Sequence, residues 1–96
     1  MYLEITTPEK QIFQGEVDAV QFPGKDGLFQ VLTNHAPIVA SLTSGTIKIN
    51  LNDNSKTVNT LTGEIVHDPS DDTIARVEIK GGVVEMMNNN IIVLAD

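Results

Sequence analysis

Apolar and polar residues alternate along most of this chain, with the two-residue period of a strand rather than the 3.6-residue period of a helix. In "YLEIT", Leu3 and Ile5 share one face. In "GTIKINL", Ile47, Ile49 and Leu51 point one way and Lys48 and Asn50 the other. In "ARVEIK", Ala75, Val77 and Ile79 oppose Arg76, Glu78 and Lys80. Each stretch is the pattern of a strand with one buried and one wetted face. Turn residues separate them at short intervals: "PGKDG" (23–27), "TSG" (43–45), "NDNS" (52–55), "DPSDD" (68–72), "GG" (81–82) and "NNN" (88–90). Gly and Asn tolerate positive φ, and Pro presets φ for a turn. Short alternating strands with regular turns predict an all-β sandwich or flattened antiparallel barrel.

Three stretches break the pattern. In "GEVDAVQFPG", Val17 and Ala19 share a face while Val20 and Phe22 take the opposite one. A β-bulge would re-aim the strand there, and so would a long strand bent between two sheets. "IIVLAD" is apolar on both faces, which predicts a strand buried on both sides. "HAPIVASL" lacks strict alternation and holds small residues, and it reads as an irregular surface connection with room for one helical turn. Met86 and Met87, being adjacent on a strand, divide into one core and one surface residue. Phe13, Phe22 and Phe29 read as core.

Composition narrows the possible functions. The 96 residues suit one domain, 1–96. With no Cys there is neither a disulfide nor a thiolate metal site. Thirteen acidic side chains against 6 basic ones give a net charge of −7. That sign opposes nucleic acid as a partner and favours cationic protein surfaces. "MYLEIT" has neither a basic nor an apolar leader region, and "IIVLA" falls far short of the ~18 apolar residues of a spanning helix. The expectation is a soluble chain, peripheral to a membrane at most.

Candidate chemistry is sparse. His35 lies near Ser41 and Ser44, but no nucleophile-elbow motif surrounds either serine. A histidine packed in a turn, or one meeting a partner from a loop, accounts for it as well. His67, Asp68, Asp71 and Asp72 could gather round a cation, yet their spacing matches neither a calcium loop nor a zinc pair. The simpler reading is a solvated acidic turn begun by Asp68-Pro69. "PGKDG" lacks the GK[ST] ending of a phosphate cradle. No catalytic residue, metal ligand, nucleotide site or cofactor is expected. The residues by themselves point to a binding or assembly module.

The ordered series "LEITTPEKQIFQGEVDAVQFPGKDGLFQVLTNHAPIVASLTSGTIKI" followed by "GGVVEMMNNNIIVLAD" resembles a specific family. It is similar to the N-terminal β-domain of the epsilon subunit of F-type ATP synthases, called delta in mitochondrial naming. The likeness covers about residues 3–51 and 77–96. It implies a sandwich of about ten antiparallel strands. It also implies a non-catalytic subunit of the rotor stalk, at the cytoplasmic face of a bacterial inner or plasma membrane. In that role the domain clamps the gamma subunit to the membrane c-ring, so that proton-driven rotation reaches the catalytic head. Membrane association would come only through the complex.

By position, the resemblance assigns contacts with the c-ring or gamma to Gly24, Lys25, Asp26, Gly27, Asn34, His35, Ala36 and Pro37, near the ring-facing end. Asp26 is expected to meet a cationic ring residue, with Gly24 and Gly27 permitting close backbone approach. The sequence ends at Asp96, where many bacterial members continue into a helical hairpin that restrains hydrolysis. A short form without that hairpin is therefore expected. The segment at about 52–76 is longer than its usual counterpart and reads as an insert that extends a hairpin or adds an acidic loop. The alternative is a free-standing ligand- or carbohydrate-binding sandwich, which would need an exposed aromatic platform at Tyr2 or a Phe.

Overall fold

A computed structural model describes residues 1–52 and 65–96, and the nine strands below lie among them. They are β1 (Tyr2–Thr6), β2 (Gln11–Gly24), β3 (Gly27–Leu32), β4 (Ile38–Leu42) and β5 (Gly45–Leu51), then β6 (Ile65–Asp68), β7 (Asp71–Ile79), β8 (Gly82–Met87) and β9 (Asn90–Ala95). No helix occurs among the described residues. Of the expected insert, residues 53–64 lie outside the described residues, as does most of the "NDNS" turn. The remainder forms β6 and the start of β7.

The long β2 belongs to both layers. Its first half pairs with β1, and β9, β8 and β4 follow in order. Its second half lies between β3 and β5, with β7 and β6 beyond. Both accounts of the parity break hold. The register against β5 slips between Val17 and Ala19, leaving Asp18 as the extra residue of a bulge. The strand then continues from the first sheet into the second. Ala19 and Val20 are both buried as a result. Among the described residues there are nine strands, where the resemblance implies about ten. One pairing departs from the antiparallel rule: β1 runs parallel to β9.

The alternating strands bury the faces predicted for them. Leu3, Ile5, Ile47, Ile49, Val77, Ile91 and Val93 are fully enclosed between the sheets, and Phe22 joins them. Each such side chain contributes roughly 1.5–3 kcal/mol on leaving water. Phe29, half-buried, tilts its ring against Phe22 at a centroid distance of 5.5 Å.

Two expectations are corrected here. Residues 38–42 of "HAPIVASL" form a full strand, β4, paired with β8 residue for residue from Ile38↔Met86 to Leu42↔Gly82. No helical turn occurs there. "IIVLAD" is a strand, β9, but it is buried on one side only: Ile91, Val93 and Ala95 are enclosed while Ile92 and Leu94 face outward. Both departures have one cause: Val39 on β4 and Ile92 and Leu94 on β9 are apolar residues that face outward.

Candidate functional site

The two motifs singled out from the sequence occupy the two ends of β3. "PGKDG" forms the β2–β3 hairpin, where Gly24 pairs with Gly27 and only Lys25 and Asp26 lie outside the ladder. "NHAP" lies in the β3–β4 connection. At about 3.4 Å per residue the length of β3 separates them by roughly 17 Å. They do not gather into one cluster. Each instead flanks β4: Pro37 leads into it, and at its far end the Lys25 N–H donates to Ser41 O at 3.0 Å.

The hairpin glycines have reasons inside the chain. Gly24 is buried, and a Cβ there would stand 2.7 Å from Gly27 O and 2.8 Å from the Phe29 ring. Its bare Cα lets Phe29 fold against the turn. Gly27 has open space around it but a φ of 126°, which only glycine adopts without strain. Lys25 and Asp26 are exposed at the tip.

The "NHAP" loop is held by a clasp of amides. The Asn34 N–H donates to Asn89 Oδ1 at 2.6 Å, and Asn89 Nδ2 donates to Asn34 Oδ1 at 2.9 Å. Asn34, Asn88 and Asn89 all have positive φ, at 67°, 52° and 62°. Asparagine is among the few residues that tolerate this conformation. Asn88 and Asn89 form the two-residue turn of the β8–β9 hairpin, with both central φ angles positive as such turns require. His35 is exposed; its N–H donates to Leu32 O at 3.1 Å, and its Nδ1 lies 2.8 Å from Ala36 O. The imidazole is engaged with the neighbouring Ala36 carbonyl rather than with Ser41 or Ser44. No cluster of metal-ligating side chains occurs among the described residues. In the β6–β7 turn, Asp68 accepts from Ser70 Oγ at 2.7 Å and from Arg76 Nη1 at 2.9 Å. Those donors, led by Ser70, hold its carboxyl well below the usual range. Asp71 is likewise lowered by Thr73. These bonds serve the hairpin; the side chains of His67 and Asp72, the other two members of the candidate group, lie outside the described residues.

Between the two motifs lies a feature that the sequence pattern concealed. The outward faces of β4, β8 and β9 carry Val39, Val83, Met87, Ile92 and Leu94, which are 75%, 44%, 56%, 44% and 59% exposed. Register places them side by side: Val39 opposite Glu85, Glu85 opposite Ile92, Val83 opposite Leu94. Glu4 and Thr6 of β1 extend the two rows. A contiguous apolar centre with a polar rim is the anatomy of a protein-docking surface. Glu85 stands within this face, between Val39 and Ile92, and Glu4 ends the same row beyond Ile92, with the Lys25–Asp26 tip at one end of β4 and the Asn34–His35 loop at the other. A shallow groove joins the tip to this face, lined by Lys25, Asp26, Phe29, Val39 and Ser41.

The aromatic platform needed by a carbohydrate-binding module is not offered by the phenylalanines. Phe13 and Phe22 are buried, and Phe29 packs against Phe22. Tyr2 is half-buried in β1.

Comparison with known proteins agrees with the fold and the ordered motifs. The sequence profile described as ATP synthase, Delta/Epsilon chain, beta-sandwich domain matches residues 1–68. The ATP synthase epsilon chain of Chlorobium limicola is 37% identical over 94 residues, covering 98% of this chain and 86% of its own length. That of Leptospira borgpetersenii is 30% identical over 94 residues, with 59% of its own length covered. Among solved structures, a chain of the Tetrahymena thermophila mitochondrial ATP synthase central stalk and c-ring superposes with a TM-score of 0.69. It shares 13% identity, with 98% of this chain and 61% of the other covered. A chain of the Euglena gracilis mitochondrial enzyme gives 0.68 at 18% identity, covering 97% and 48%. At those identities the superpositions speak for the fold. The matched profile and the sequence relatives together make this chain a member of the ATP synthase delta/epsilon family, as its β-sandwich domain.

Proposed function

We propose that this chain belongs to the non-catalytic rotor subunit of a bacterial F-type ATP synthase, its β-sandwich domain clamping gamma to the c-ring and coupling ring rotation to ATP synthesis. Family membership and the central-stalk setting of the two structural neighbours support this role. The observation that carries it is the apolar face of β4, β8 and β9, a surface that a free-standing chain has no use for. Gamma is the partner assigned to that face, with cationic groups to meet Glu4 and Glu85. The c-ring is assigned to the Lys25–Asp26 tip, held between Gly24 and Gly27. Asn34, His35, Ala36 and Pro37 form the border of the gamma face at the other end of β4. The separation of the two motifs along β3 suits two partners better than one. Attachment to the cytoplasmic face of the membrane then comes through the complex.

The test is co-elution of this chain with its own gamma subunit at micromolar concentration. A complex is expected, and separate elution overturns the assignment. The contact residues are tested in reconstituted membranes with the double variant His35→Glu, Asp26→Lys. Proton pumping is expected to weaken while the purified variant keeps its fold. Wild-type pumping removes these residues from the interface.

A further inference from the structure

The opposite face of the molecule carries a second anomaly. On the outer side of the second sheet, Lys48 of β5 stands directly opposite Arg76 of β7, with Gln21 and Gln30 in the same row. Like charges directly opposite one another in a ladder oppose pairing. The chain has only 6 basic side chains against 13 acidic ones, so placing two of them together is not a consequence of composition.

The acidic neighbours are already engaged. Asp68 bonds Arg76 and Ser70, and Glu78 accepts from the Thr46 hydroxyl. Among the described residues Lys48 has no ion-pair partner. Beside the cations runs a shallow groove with an apolar wall of Pro23 and Leu28, hydroxyls of Ser44 and Thr46, and Lys48 and Arg76 at one end. Leu28 is 68% exposed on β3, which among the described residues pairs only with β2. Gly45 lets the floor of the groove close, since a Cβ there would stand 2.8 Å from the Pro23 side chain.

We propose that this face is a separate docking site for an acidic segment of a partner polypeptide, one that places a carboxylate on Lys48 and Arg76 and an apolar side chain against Leu28 and Pro23. Charge complementarity selects the occupant: Lys48, without an ion-pair partner among the described residues, stands beside an apolar wall and favours an anionic, partly apolar peptide, a local attraction that acts against the chain's net charge of −7. The site lies on the opposite sheet from the apolar face assigned to gamma and does not depend on that assignment.

The probe is a short synthetic peptide alternating glutamate and leucine, titrated into the full chain and followed by amide chemical shifts. Shifts are expected at Gln21, Leu28, Thr46 and Lys48, weakening with added salt, and not at Val39 or Leu94. Lys48→Thr is expected to weaken binding by roughly tenfold. The same variant removes the like-charge pair, so its melting temperature is expected to hold or rise. Loss of binding at unimpaired stability is what a merely structural lysine would not show. Equal binding of a lysine–leucine peptide overturns the proposal, as does mapping of the shifts to Val39 and Leu94. So does an affinity unchanged in Lys48→Thr, or a stronger response to vesicles of anionic lipid than to the peptide.

Discussion

At the residue scale, glycine and asparagine do different work at sites that look alike in sequence. Gly24 and Gly27 bracket the same turn, but Gly24 is needed for lack of volume and Gly27 for its backbone angle. Gly24→Ala forces a methyl group into the Phe29 ring and should cost about 1–3 kcal/mol in denaturant unfolding. Gly27→Ala meets no atom but must hold a φ of 126°, outside the left-handed well at about +57°, and should cost about 1–3 kcal/mol through the backbone alone. A D-alanine at 27, for which that angle is unstrained, should recover the loss, and no recovery would refute this division of roles. The Asn34–Asn89 clasp gives a second residue-scale expectation. Asn89→Ala removes both bonds, worth about 1 kcal/mol each. Amide exchange at His35 and Ala36 should quicken while exchange in β2 stays unchanged. Turn chemistry was legible in "PGKDG" and "NNN", since Gly and Asn announce positive φ. That Asn34 and Asn89 meet was not legible, because nothing local links residues so far apart in the chain.

At the element scale, the β6–β7 hairpin is the part most exposed to acid. Asp68 and Asp71 have carboxyls held below their ordinary values, chiefly by bonds from Ser70 and Thr73. A lowered folded pKa means the ionised form is the one that stabilises. The contribution is therefore complete above the unfolded value of about 3.9 and is lost as pH falls below it through the lower folded value. The hairpin should hold at pH 5 and loosen in more acid solution, seen as broadening of the β7 amide signals before those of β8. Asp68→Asn should loosen it already at neutral pH and lose most of the difference from wild type in strong acid. An identical acid response in wild type and variant would exclude Asp68 as the source. The hairpin sequence announced its turn through Asp68-Pro69, but not the Arg76 contact, which register across the ladder supplies.

At the scale of the whole molecule, two faces remain unsatisfied in the isolated chain. One is apolar and faces outward from β4, β8 and β9; the other is cationic and lies across β5 and β7. The first accounts for the two readings that the sequence misdirected. Alternation marks a strand only when its outward residues are polar. Val39 hid β4, and Ile92 with Leu94 made β9 look buried on both sides. Val39→Thr combined with Leu94→Thr places strand-compatible β-branched side chains at both positions but removes much of the apolar centre. Its melting temperature should stay within a few degrees of wild type, while affinity for gamma falls by roughly thirtyfold or more, the size of a hot-spot loss. Undiminished affinity would move gamma to another face.

What the sequence determined by itself was the class of fold, the strands whose outward residues are polar, the turns, and the family, through motifs kept in a fixed order. It also showed how little chemistry the residues offer: sparse histidines, no Cys, and spacing that matches no metal loop. The tertiary structure decided which residues share a surface. Val39 is far in sequence from Val83, Ile92 and Leu94, and only the β4–β8–β9 ladder brings them together. Lys48 meets Arg76 in the same way, across β5 and β7. A docking surface on a sheet runs across the strands, whereas a sequence runs along them. Periodicity can therefore show that a residue points outward, but only register shows what stands beside it.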